Sequence, residues 1–182
     1  PKIAVRIRDL PVDSLIDAVH TGDVDLAVGP DRPVSADALS QPLFDSPWVL
    51  WCAPDHPLAK KRKVRWEDLR GHALVAAGRD HEISVSLMHR NAPEGSRIMP
   101  VHVVDNISTA MGIASQGLAA TLAPAYVGVM AQSFGLVMKR VVEPEVIRKV
   151  CLYRSKVRQP TPATEWFAMH LSEWLPRWAK LR

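Results

Sequence analysis

Cysteine is scarce in this chain, with only Cys52 and Cys151, far apart. No CxxC or His-Cys spacing accompanies them, which excludes the common structural zinc patterns. Each sits in an apolar, strand-like run (WVLWCAP and KVCLYRS), so both read as buried free thiols in a reducing compartment. Long apolar runs are lacking too. None approaches the roughly 18–20 residues that a bilayer-spanning helix needs. The opening PKIAVRIRDL has neither the apolar core of a signal peptide nor an initiator Met, so the chain reads as a fragment of something longer.

Charge of one sign is modest, at +4. Part of it is the run KKRK, Lys60 to Lys63. Four adjacent cations can touch phosphate. Without interleaved aromatics or a recognition helix, the run reads as a solvated loop. Hydrophobic residues are 47% of the 182 and charged residues 23%, the balance of a globular chain able to bury a core as one domain or two small lobes.

Reactive constellations are also missing. The sequence offers no nucleophile elbow, phosphate-cradling glycine loop or paired acid and base. GIASQG, Gly112 to Gly117, lies within or at the end of a helical pattern, the wrong place for a dinucleotide fingerprint. The histidines are His20, His56, His72, His81, His89, His102 and His170. No two share a helix face at i and i+4 with a third ligand in view, so each reads as a surface or capping residue. The expectation is a protein that binds without converting, with no metal and no cofactor.

What is present is an alternation of strand and helix signals, the mark of an α/β class. KIAVRIRDL reads as a strand, VDSLIDAVHTG as a helix closed by Gly22, and VDLAVGP as a strand over Val24 to Val28 halted by Gly29-Pro30. Together they predict a βαβ unit within a parallel sheet. The polar DRPVSADALSQ follows, then an apolar stretch, Trp48 to Ala53, suited to a strand buried on both faces. Pro54, Pro57 and the cationic run mark a break. GHALVAAG is a strand ending in Gly78, and DHEISVSLMHRNAP a helix with Asp80 as N-cap. SRIMPVHVVDN is a strand in which Pro100 marks an edge, a bulge or a late start. ISTAMGIASQG is a helix capped by Asn106 or Asp105, LAATLAP a strand, and AYVGVMAQSFG a helix. LVMKRVVEPEVIRKVCLYRS makes two strands hinged near Glu143-Pro144. A final helix carries a packing stripe of Phe167, Leu171, Trp174, Leu175 and Trp178, and Pro176 should end or kink it.

In open α/β sheets, ligands gather outside the carboxyl ends of strands. The polar helix start DNIST stands at such a place. Its unpaired amides, with the hydroxyls of Ser108 and Thr109, suit an anion such as a carboxylate. Alternatively, Asn106, Ser108 and Thr109 simply cap their own helix.

Four segments in this order carry a resemblance across essentially the whole chain: GDVDLAVGP, PLFDSPWVLWCAPDHPLA, VRWEDLRGHALV and DNISTAMGIASQGLAATLAP. The chain resembles the effector-binding domain of the LysR-type transcriptional regulators. The resemblance implies an α/β fold of two Rossmann-like lobes joined by two crossover strands, in the type 2 periplasmic-binding-protein architecture. Lobe I would be 1–54 with 151–182, and lobe II 55–150. It implies that relatives' first strand and helix, and the winged helix-turn-helix that binds DNA, are absent from this stretch. It also implies a small-molecule effector held between the lobes, a carboxylate being one candidate. Carried over by position, its contacts would be Leu10, Pro11, Val12, Gly29 and Pro30 from lobe I. Lobe II would add Ala77, Gly78, Arg79, Asn106, Ile107, Ser108, Thr109 and Pro124. Several relatives place a polar residue where Val12 and Pro30 stand, so the ligand here would be held differently or be more apolar. The expected partners are the effector, DNA through the absent domain, and further copies in a homodimer or homotetramer, with no membrane. The expected location is cytoplasmic. A free-standing solute-binding protein of the same fold is the alternative, and an α/β enzyme a third reading that no reactive residue supports.

Overall fold

A computed structural model of the chain describes residues 3–78, 81, 85 and 98–180. The molecule divides into two compact units, Pro1–Asp45 with Arg148–Arg182, and Ser46–Ile147.

In the first unit, a 3-10 turn at Val12–Ser14 leads into helix α1 (Leu15–Thr21). The helix is closed by Gly22, whose φ of +83° is the left-handed conformation the sequence anticipates there. Strand β1 (Leu26–Pro30) pairs antiparallel with β8 (Ile147–Ser155), from Leu26 opposite Arg154 to Pro30 opposite Val150. Alternation along β8 distributes the core. Cys151 and Tyr153 join Val19, Ala27, Leu15 and Ile16 on one face. Leu152 joins Leu43, Phe44, Ala168, Leu171 and Leu175 on the other, the last three from helix α4 (Pro162–Lys180).

Four expectations need correction here. Residues 3–10 form no strand, although their alternation suggests one; Ile3, Val5 and Ile7 are exposed, and Ile7 is 89% so. Alternating pattern gives a segment the capacity for a sheet, but a ladder needs a partner strand, and none of the described residues supplies one. Strand β1 starts two residues later than expected and runs through Gly29-Pro30 instead of stopping before them. A strand's last residue can do without its donor, and the Pro30 carbonyl accepts from the Tyr153 hydroxyl at 2.6 Å. The partner of β1 is antiparallel, so no parallel βαβ unit forms at this point. Helix α4 continues through Pro176 to Lys180, so of the two expected effects the proline does not end the helix. Proline removes one backbone bond, but the turn beyond it is held by packing: Trp178 meets Phe44 edge-on and stacks on Trp174, bridging the proline.

Strand β2 (Ala38–Cys52) is far longer than the apolar stretch alone suggests, since it begins within the polar segment before it; its residues through Asp45 belong to the first unit, and those from Ser46 organise the second. Trp48 to Ala53 are all buried, as their composition predicts. On one side β2 pairs antiparallel with β6 (Thr121–Pro124), and on the other with β7 (Val137–Val142). Trp48, Leu50 and Cys52 enter one core cluster, while Val49 and Trp51 enter another. A short β3 (Val64–Arg65) runs parallel to β7, and β4 (Val75–Ala77) parallel to β5 (His102–Val104). The ladders are therefore mixed, where the sequence suggested parallel ones. Pro100 precedes β5, so the late start is the alternative realised. Helix α2 (Ile107–Ser115) and helix α3 (Gly128–Ser133) match the periodic segments that suggested them. The expected helix over 80–93, with Asp80 as its cap and His89 within it, lies outside the described residues apart from His81 and Val85.

The cationic run is exposed, and Lys61 pairs with Asp68. Just before it, His56 caps the 3-10 turn Pro57–Lys60, its Nδ1 accepting from the Leu58 amide at 3.2 Å. Its ring lies 5.1 Å from that of His72. Burial, then the neighbouring His72, lowers the His56 pKa below the usual histidine value. The unfolded chain therefore binds this proton more readily than the folded one does. Stability from His56 is present above pH ~6.5 and is lost as pH falls through that value toward the lower folded pKa. Urea denaturation between pH 5 and 8 should show this slope, and His56→Asn, which keeps a capping acceptor, should flatten it.

Candidate functional site

The predicted contacts fall into two groups, one in each unit. In the second unit, β4 and β5 run parallel, and an isolated parallel bridge between Leu74 and Ala120 aligns β6 with β4. The buried Thr121 hydroxyl reinforces that alignment by donating to the Val75 carbonyl at 2.9 Å. All three strands therefore end at the same edge. Ala77-Gly78 follow β4, Asn106 to Thr109 follow β5, and Pro124 closes β6, so these residues do come together at one carboxyl edge. Gly78 has a φ of +83° and donates its amide to the Val104 carbonyl, which turns the chain out of the strand. Arg79 lies outside the described residues.

Asn106 occupies the N-cap position of α2, as expected, but its side chain makes no capping bond. Asn106, Ser108 and Thr109 are exposed, Ile107 is partly buried in the core, and Ala110 and Met111 anchor the helix beneath them. A first turn whose polar side chains point to solvent keeps its amides and hydroxyls available to a ligand. Pro124 itself is buried. Beyond it the Tyr126 amide donates to the Ser46 hydroxyl at 3.3 Å, fixing the turn into α3.

In the first unit, Pro11 caps the Val12–Ser14 turn, with the Ser14 amide donating to its carbonyl at 2.9 Å. Pro11 is exposed, while Leu10 and Val12 are partly buried. Gly29 serves the packing of α1. A Cβ built there would stand 2.4 Å from Leu15 Cδ1, so the close approach implied by the sequence is that of a helix on its strand.

The sequence reading missed the residues that shape this edge. The Tyr153 hydroxyl donates to the Pro30 carbonyl and accepts from the Arg32 amide at 2.9 Å, closing the turn after β1. Burial pushes its pKa up, so it stays a donor. Cys151, beside it, donates to Asp31 Oδ1 at 3.7 Å, and Arg32 pairs with Asp13 at 3.0 Å. The signal lay in the polar DR immediately after Gly29-Pro30. Both cysteines are buried, and burial raises both thiol pKa values, which disfavours the reactive thiolate. Among the described residues no group of three or more His, Cys, Asp or Glu side chains is arranged to hold a metal ion. Among them, too, no helix is long and apolar enough to cross a membrane.

The sequence and the fold of the chain match known proteins. Residues 1–176 match the model of the LysR substrate binding domain. The uncharacterized HTH-type transcriptional regulator YbhD of Escherichia coli (strain K12) is 26% identical over 175 residues, covering 96% of this chain and 55% of that protein. The chain thus spans about half the length of the curated relatives it matches. Among solved structures, the effector-binding domain of QuiR in complex with shikimate superposes with a TM-score of 0.74 at 18% identity, covering 90% of this chain and 78% of that one. The regulatory domain of Synechocystis PCC6803 CcmR in complex with 2-PG gives 0.71 at 16%, covering 86% and 76%. The chain belongs to the LysR substrate-binding domain family. The α/β fold is the one shared by these effector-binding domains. Its relatives are transcriptional regulators, which are not enzymes, and the free-standing solute-binding alternative is not favoured.

Tyr153→Phe removes the bridge between Pro30 and Arg32 while keeping the ring. It should destabilise the chain by about 1–3 kcal/mol, measured by urea denaturation.

Proposed function

We propose that this domain senses a small-molecule effector with the carboxyl edge of its second unit and with the end of β1 and the turn before α1 in its first, the units being taken as the two lobes, and releases it chemically unchanged. In the second unit the contacts are Ala77, Gly78, Arg79, Asn106 to Thr109 and Pro124. In the first they are Leu10 to Val12 and Gly29-Pro30. The observation that carries this reading is the uncapped, exposed polar start of α2, set at the same edge as the ends of β4 and β6. Main-chain amides and rotatable hydroxyls there suit a carboxylate, and QuiR and CcmR hold small molecules in domains of the same fold. In the full-length regulator, which acts in the cytoplasm, effector binding shifts an equilibrium between subunit arrangements of a homodimer or homotetramer. That shift changes how DNA is engaged by a segment outside this chain.

A thermal-shift screen of small carboxylates, amino acids and aromatic acids should find a saturable binder. At a hundredfold excess over Kd, such a binder adds about 2.7 kcal/mol of apparent stability. Replacing both hydroxyls, Ser108→Ala with Thr109→Ala, should weaken it tenfold or more by calorimetry. Unchanged affinity, or conversion of the binder to a product, contradicts the reading.

A further inference from the structure

The pair Arg32–Asp13 joins the two stretches of the first unit that bear its proposed contacts. Asp13 follows Val12 in the turn before α1, and Arg32 stands two residues beyond Pro30. Its two partners are unequally placed. The Arg32 side chain is 24% exposed and that of Asp13 is 62%. A guanidinium largely withdrawn from water needs an anion beside it, and it binds planar carboxylate or phosphate oxygens through paired N–H donors. A carboxylate that is mostly hydrated holds such a cation weakly, because water competes for it at every moment. Among the partners of Arg32, Asp13 is thus a resident counter-ion that a better anion can replace.

The backbone of Arg32 is fixed independently of that pair. Its amide donates to the Tyr153 hydroxyl, which in turn donates to the Pro30 carbonyl, so loss of Asp13 from the guanidinium leaves the turn anchored to β8. The neighbouring acid, Asp31, is occupied by the Cys151 thiol. The position is prepared for an exchange of anions.

We propose that Arg32 is an effector-binding residue, whose guanidinium takes an anionic group of the effector in place of the Asp13 carboxylate. The inference rests on the reading that the strand ends of the first unit receive effector, and it adds a charge requirement to that reading. The group recognised is a carboxylate or a phosphate monoester, which share the oxygen geometry an arginine reads.

The test uses the 182-residue chain at constant ionic strength, with benzoate, phenyl phosphate and the neutral benzamide as probes. NMR of the arginine Nε–Hε groups is the readout, and Arg32→Gln assigns the resonance. Benzoate or phenyl phosphate should shift the Arg32 signal saturably while benzamide leaves it in place. Asp13→Asn, which removes the competing carboxylate, should lower the half-saturating concentration of the anion about tenfold. The stronger of the two anions identifies the carboxylate or the phosphate source. An Arg32 signal that neither anion moves, or an Asp13→Asn variant with unchanged half-saturation, overturns the assignment. The screened binder separates this inference from the reading beneath it. If the Ser108/Thr109 replacement weakens that binder and Arg32→Gln does not, the site stands and the role of Arg32 falls. If neither does, both fall.

Discussion

The five residues from Trp48 to Cys52 impose the constraint on which the second unit is built. They are buried on both faces of a strand with neighbours on each side, so every backbone donor and acceptor must find a ladder partner. Strands β6 and β7 supply those partners. Alternation then sends the side chains of one strand into two cores, one around Trp48 and Leu50 and one around Val49 and Trp51. Burying one such side chain contributes about 1.5–3 kcal/mol. With β6 fixed against β2, the bridge from Ala120 to Leu74 fixes β4 against β6, and β5 follows. The edge that carries Gly78, Asn106 and Pro124 is the far end of this chain of ladders.

The proposed contacts sit where the ladders stop. At the ends of β4, β5 and β6 the backbone turns out of the sheet, and α2 begins with polar side chains in solvent above a buried Ala110 and Met111. The first unit solves the same problem with a side chain. Tyr153 reaches along β8 to satisfy a carbonyl and an amide in the turn after β1, placing Arg32 next to Asp13. Rigid strands thus deliver adaptable polar groups, an arrangement suited to binding a small molecule.

Much of this was legible in the residues. The Gly22 helix stop, the doubly buried strand at Trp48, the α2 pattern and the break near Glu143-Pro144 all follow from local chemistry and period. The grouping of Gly78, Asn106 and Pro124 came instead from the family resemblance, carried over by position. What local chemistry did not reveal was pairing. The alternation of residues 3–10 announces a strand that finds no ladder, and β1 pairs antiparallel with a segment more than a hundred residues away. Pro176 showed the same limit, since tertiary packing by Phe44, with the Trp174–Trp178 stack within the helix, carries α4 across it. Tyr153 and Arg32 escaped notice because a polar tip in an apolar run and a charge in a loop have meaning only once β8 lies beside β1.

The claim at the centre of this account is that small molecules are taken at strand ends and nowhere on the packed faces. Backbone amide NMR of the chain with a saturating binder tests it most directly. The account predicts shifts at Ala77, Gly78 and Asn106 to Thr109, together with the turn from Gly29 to Arg32, while Val49 to Trp51 and the exposed face of α4 stay still. Shifts concentrated on α4 around Trp166 and Trp174, with the strand ends silent, would contradict it.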